Sequence, residues 1–204
     1  MAMNGPVLAA ILMAGISAMA FPAKGAGMVP TEKLPTQTVC MDCHGPIGDS
    51  AKDSVPRLNG QDAKYLRKRL NDFHFPGSED PHATDAMWGI VEHMGDDTLA
   101  EIADYYSRQP PTPAKAGRPL AEAGRRLYVT GDAANSIPAC SACHGAQGEG
   151  GGDAPRLAGQ HALYLKNQLE RMRLNLRASE TMHPNTNSMT DKQIDALVAY
   201  LAGT

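Results

Sequence analysis

Large aromatic side chains are scarce in this chain: one Trp, six Tyr and three Phe among 204 residues. Two small domains built from so few rings would have thin cores. A flat, mostly apolar prosthetic group is therefore expected to supply the missing volume. Cysteine is scarcer still. There are four, all of them in two C-x-x-C-H motifs, which leaves no thiol for a structural disulfide. An excess of basic charge is missing too, since 19 Lys and Arg stand against 22 Asp and Glu, a formal net charge of −3. A nucleic-acid binder normally shows clustered basic surface, so no nucleic-acid partner is expected. Alternating apolar and polar stretches of the kind that form strands are also lacking. One apolar run extends from Val7 to about Ala20, too short for a comfortable membrane span of about 20 residues. Residues 1–20 hold no Lys, Arg, Asp or Glu, and Ala18-Met19-Ala20 matches the small-x-small cleavage pattern. They read as an export signal, with cleavage as late as residue 26 also compatible.

What is present is an internal repeat in two copies. Val39-Cys-Met-Asp-Cys-His-Gly45 matches Ala139-Cys-Ser-Ala-Cys-His-Gly145, and Pro56-Arg-Leu-Asn-Gly-Gln61 matches Pro155-Arg-Leu-Ala-Gly-Gln160. Tyr65 and Leu66 match Tyr164 and Leu165, and Met87 and Met94 recur as Met182 and Met189 with the same separation of seven. The offset falls from 100 to 99 to 95, so the second copy has lost a few loop residues. A repeat of this length is a whole domain. Between the copies, Gln109 to Pro119 carries four prolines in eleven residues, which prevents a continuous helix and favours extended backbone. The expected organisation is domain 1 over 27–109, a semi-rigid linker over 110–119 and domain 2 over 120–204.

The coarse pattern is all-α. Thr190 to Gln193 fits a capping box, and Ile194, Leu197, Val198 and Leu201 then follow helical spacing. Leu99, Ile102, Ala103 and Tyr106 repeat that spacing in the first half. Further helices are expected over about 62–73, 161–176 and 121–129. The counterpart of the last, before Cys40, is interrupted by Pro30 and Pro35.

C-x-x-C-H is the attachment motif of haem c. Its two thiols add to the haem vinyl groups, and the adjacent histidine lies beneath the iron. Cys40, Cys43 and His44 form one set, and Cys140, Cys143 and His144 the other. A zinc site would need four ligands from clusters brought together. A redox dithiol would want a βαβ setting, and none is visible. Two haem c groups, covalently bound, are the expectation.

The sixth iron ligand should lie downstream and recur in both halves. Met87/Met182 and Met94/Met189 qualify. The latter pair sits just before the final helix, where core packing explains it. Met87 and Met182 fall in a stretch read as loop and are the assigned axial ligands, a choice that raises the reduction potential. His82, His93 and His183 are the rivals, but none matches between halves. His74 and His161 read as solvated surface residues. The carbonyls of Pro56 and Pro155 are expected to accept from the proximal imidazoles. Arg57 and Arg156 suit haem propionates. Tyr65 and Tyr164 pack on the haem edge or on the core.

The order C-x-x-C-H-G, P-R-L-x-G-Q, Tyr-Leu helix and Met seven residues before a capped terminal helix, repeated twice, resembles the dihaem cytochrome c4 family. The resemblance covers residues 36–204. The first half departs from it by the interrupted segment before Cys40 and by a longer acidic loop, Gly77 to His82. The resemblance implies two tandem cytochrome c-like helical domains related by approximate twofold symmetry, each wrapping one haem. It implies a periplasmic electron carrier rather than an enzyme, with redox proteins as partners, a terminal oxidase or a dehydrogenase. A monomer or loose complex, with room for peripheral membrane association, goes with that role. Two alternatives stay open: a cytochrome subunit of a dehydrogenase, similar in layout to flavocytochrome c, and a dihaem peroxidase. The peroxidase needs one iron with an open position, which a matched Met in both halves opposes.

Overall fold

The computed structural model of the chain describes residues 1, 37–74, 81–113, 120–177 and 179–204. The expected export signal, the segment around Pro30 and Pro35, residues 77–80 of the acidic loop and the end of the linker lie outside the described residues.

The described residues form nine α-helices: α1 (Gln37–His44), α2 (Ala63–His74), α3 (Pro81–Val91), α4 (Asp96–Ser107), α5 (Ala121–Thr130), α6 (Ser141–His144), α7 (Ala162–Arg173), α8 (Met182–Thr186) and α9 (Asp191–Leu201). Among them there is no β-ladder, only two isolated bridges, Asp132 with Ile137 and Gly151 with Ala154. Each half has its own core. In the first, Leu66 of α2 meets Ile102, Ala103, Tyr105 and Tyr106 of α4. In the second, Leu127 and Tyr128 of α5 pack with Leu165 and Leu169 of α7 and with Ile194, Leu197, Val198 and Leu201 of α9. The crossing of α5 and α9 depends on Gly124, where a Cβ would lie within 1.9 Å of the Ala196 carbonyl oxygen.

Local chemistry explains the helix ends. Thr190 and Gln193 form the expected capping box. Met189, one residue before the cap, shares a core with Ile194, a hydrophobic staple that fixes how the chain enters α9. Helix α4 begins instead at Gly95 without a side-chain cap, and Asp96 and Asp97 in its first turn favour the positive end of the helix dipole. Helix α7 stops at Arg173 rather than at residue 176. Asn175 adopts a left-handed conformation, φ 56°, and the Leu176 N–H donates to the Arg171 carbonyl at 2.8 Å, which is a Schellman ending.

Met87 and Met182 also differ from expectation, because both lie in helices rather than loops. Met87 is inside α3, which opens on Pro81, and proline suits the first position of a helix. Met182 opens α8, where its N–H donates to Ser179 Oγ at 3.0 Å and its carbonyl accepts from Thr186 Oγ1 at 2.8 Å.

Candidate haem sites and the seam between the halves

Each C-x-x-C-H motif closes a helical turn, in α1 and in α6, that presents its two sulfurs differently. Cys40 and Cys140 are half-buried and pack against the core of their own half, whereas Cys43 and Cys143 are exposed. Burial raises the Cys40 thiol above its ordinary value and pushes that of Cys140 up to about 11. A redox-active dithiol shows the opposite, a depressed pKa. No group of three or more His, Cys, Asp or Glu gathers as a metal cluster among the described residues.

His44 and His144 are buried, at 8% and 6% exposure. Each ring places Nδ1 at 2.9 Å from a proline carbonyl, Pro56 in the first half and Pro155 in the second. A carbonyl only accepts, so Nδ1 carries the proton and Nε2 keeps its lone pair. Burial lowers both imidazole pKa values, and the carbonyl acceptors oppose it in part. The rings are thereby held in the neutral, ligating form. Two buried tyrosines steady the loops that follow: Tyr105 Oη donates to the Pro46 carbonyl at 3.1 Å, and Tyr128 Oη to that of Gly145 at 2.6 Å.

The candidate sixth ligands are distributed unevenly. Met87 and Met182 are both half-buried. Met189 is buried in the second core, and Met94 packs against the first. His93 has a side chain 91% exposed, so it covers nothing. His183 turns Nδ1 to the Met172 carbonyl at 2.8 Å, bracing the end of α7. The side chain of His82 lies outside the described residues.

The P-R-L-x-G-Q loops hold what sequence reasoning missed. They meet at the seam between the halves. Gln61 Oε1 accepts from the Arg156 N–H at 2.7 Å, and its Nε2 donates to the Arg156 carbonyl at 2.9 Å. Gln160 does the same to Arg57, at 2.9 and 3.0 Å. Each glutamine thus pairs with both backbone groups of one residue in the other half, as neighbouring strands do in an antiparallel ladder. The remaining acceptor position of each Oε1 takes the next N–H in its own chain, from Asp62 and His161, both at 3.0 Å. The only signal in the sequence was the repetition of glutamine at the sixth place of the motif, with no charge or periodicity to mark its role.

Other contacts also cross the seam. His161, read as solvated, places Nε2 at 2.8 Å from the Ser50 carbonyl. The Arg57 guanidinium donates to the Gly159 carbonyl. Tyr65 meets the buried Arg177, whose Nη2 lies 3.3 Å from the phenol oxygen. His74, the other histidine read as solvated, is half-buried and has Nδ1 3.1 Å from the Val91 carbonyl. The linker is held as well: Asn59 Nδ2 donates to the Pro110 carbonyl at 2.7 Å and to Thr112 Oγ1 at 3.0 Å.

Two buried donors at the seam test whether haem fits. Arg57 Nε and Arg156 Nε, one from each half, are buried without a hydrogen-bond partner among the described residues. Buried guanidinium donors call for an anionic acceptor, and haem propionates are carboxylates. With neutral buried imidazoles and paired thiols in each half, the donor set fits two haem c groups.

Several known proteins are similar to this chain. The cytochrome c family model matches residues 121–204. A cytochrome c4 of Azotobacter vinelandii is 34% identical, over 98% of this chain and 99% of its own length. A protein of Stutzerimonas stutzeri named a thiosulfate dehydrogenase electron acceptor is 35% identical, over 82% of this chain and 80% of its own. The solved structure of an Acidithiobacillus ferrooxidans cytochrome c4 superposes with a TM-score of 0.77 at 31% identity, covering 82% of this chain and 99% of that one. The fold expected from the sequence, two tandem cytochrome c-like helical domains, is the fold of these relatives.

Proposed function

The chain belongs to the cytochrome c4 family, and from that premise we infer that it is an exported carrier of electrons between respiratory redox proteins. Family members are electron-transfer proteins with two covalent haem c groups, and the two C-x-x-C-H motifs here fit that complement. The haem supplies a one-electron iron couple. The protein's part is to tether, orient and insulate. Cys40 and Cys43 tether one group, Cys140 and Cys143 the other. His44 and His144 offer Nε2 to the iron while Nδ1–H is held by Pro56 and Pro155. Met87 and Met182 would supply the sixth ligand of each iron, and a fully ligated iron would have no open position for a substrate. Arg57 and Arg156 supply donors to the propionates. Tyr65 serves the seam through Arg177. Tyr164 is half-buried on α7 and packs on the haem edge or the core.

The observation that carries this reading is duplication: both halves bury an imidazole at 2.9 Å from a proline carbonyl beside a thiol pair. An anaerobic reductive titration tests it. It should take up two electrons per chain, with both irons low-spin when oxidised. A high-spin iron together with peroxide turnover would instead make the protein a peroxidase.

A second reading, a dedicated acceptor for a dehydrogenase, is favoured by the Stutzerimonas stutzeri relative. It predicts co-purification with a partner enzyme, against a monodisperse monomer for the free shuttle. We place the carrier in the periplasm. No helix among the described residues is long and apolar enough to cross a membrane.

A further inference from the structure

We propose that Gln61 and Gln160 are positioning residues that set the reduction potential of the haem in the opposite half, each by clamping the peptide unit that anchors that half's proximal histidine. The proposal rests on the reading that His44 and His144 ligate the irons.

The geometry is a chain of hydrogen bonds through one amide. The peptide unit joining Pro56 to Arg57 is engaged on both sides. Its carbonyl accepts from His44 Nδ1–H at 2.9 Å, and its N–H donates to Gln160 Oε1 at 2.9 Å. The peptide unit joining Pro155 to Arg156 is engaged in the same way, by His144 at 2.9 Å and by Gln61 Oε1 at 2.7 Å. Nitrogen and oxygen of one amide share a π system. Donation from the N–H therefore enriches the carbonyl oxygen, a cooperative strengthening of about 10–30% per bond. A better acceptor draws more on the Nδ1 proton, makes the imidazole more electron-rich and favours oxidised iron. Gln61 and Gln160 are only 7% and 8% exposed, so bulk water does not compete for these positions. The second bond from each glutamine, Nε2 to the Arg carbonyl, fixes the orientation of the clamped residue.

The consequence is that each half completes the ligand environment of the other. If the glutamines served only as adhesive, their loss would open the seam to water. Water stabilises the more highly charged oxidised iron, so the potentials of both haems would fall. Loss of the relay predicts the reverse sign at a single haem. Removing Gln160 raises the potential of the haem at Cys40/Cys43, and removing Gln61 raises that of the haem at Cys140/Cys143.

The test uses holoprotein carrying Gln160→Met, Gln160→Glu or Gln61→Met. Potentiometric titration is followed by proton NMR, with the haem methyl resonances assigned to each half. Gln160→Met should change the reduction equilibrium constant of the first haem three- to tenfold towards the reduced form, an upward shift of about 30–60 mV for one electron. The second haem should move less. Gln61→Met should mirror this. Gln160→Glu keeps an acceptor oxygen for the Arg57 N–H and should restore or lower the potential of the first haem. Should one methionine variant fail to incorporate haem, the other reads the same relay from the opposite side. No shift, equal shifts of both haems, a downward shift, or a shift confined to the haem of the mutated half would overturn the proposal. A glutamate variant that behaves like the methionine one would also overturn it. A wild-type protein with a high-spin iron, by contrast, would sink the ligand assignment beneath it.

Discussion

Replacing Gly124 with alanine sets two well-measured effects against each other. Gly124 lies inside α5, and exchange of glycine for alanine in a helix interior stabilises by about 1 kcal/mol from propensity alone. The added Cβ, however, would sit 1.9 Å from the Ala196 oxygen, 2.5 Å from its carbonyl carbon and 2.9 Å from Tyr200 Cβ. Carbon–oxygen contacts settle near 3.3 Å or beyond, so the two helices would have to part by more than about 1 Å. The nearest atoms are backbone, which cannot swing aside as a side chain does. Overpacking of this kind costs about 1–3 kcal/mol, occasionally more. Taking the upper figure, the balance is a loss of about 2 kcal/mol, or roughly 10 °C in the unfolding midpoint of a domain this size. Thermal unfolding of holoprotein, followed by far-ultraviolet circular dichroism, reads it. Ala123→Gly, one residue away, supplies the propensity effect alone and should cost about 1 kcal/mol. A Gly124→Ala protein as stable as wild type, or more so, would refute the claim that α5 and α9 touch backbone to backbone.

Four further substitutions probe the second half and the seam. Gly150 has φ +77°, and a Cβ there would lie 2.5 Å from the Arg156 nitrogen and 2.8 Å from the Pro155 carbonyl carbon. Gly150→Ala should therefore cost about 2–3 kcal/mol and perturb the NMR spectrum of the second haem while sparing the first. Thr190→Ala removes the capping box of α9 and should cost about 1 kcal/mol in denaturant unfolding. Arg177→Met strands the Gln168 side-chain oxygen, bonded at 2.7 Å, and the Tyr65 hydroxyl. It should destabilise by about 1–3 kcal/mol, whereas Tyr65→Phe should cost under about 1 kcal/mol in the same assay.

The sequence reached the helical architecture because its signals were local. The capping box at Thr190 and the spacing of Ile194, Leu197, Val198 and Leu201 are written within twelve residues. The two buried histidines were singled out too, since each closes a C-x-x-C-H motif. The Pro56 and Pro155 carbonyls lie where expected, because a proline keeps its acceptor after losing its donor. What stayed hidden was long-range. Gln61 and Gln160 act on backbone groups 95 and 103 residues away, and no pattern along the chain reports such a partner. His161 was misread for the same reason, since its acceptor, the Ser50 carbonyl, belongs to the other half. The helix at Met182 was missed because it has only five residues, and the one at Met87 because its first residue, Pro81, falls in the stretch read as an acidic loop.

The central claim is that each half holds one iron between a histidine and a methionine and passes single electrons. Potentiometric titration with visible spectra, on wild type and on Met87→Ala and Met182→Ala, tests it most directly. Wild type should show two one-electron steps and the weak red absorption band of methionine-bound oxidised haem. Each substitution should abolish that band for one haem and lower its potential, leaving the other haem intact. Spectra and potentials unchanged in both variants would contradict the assignment.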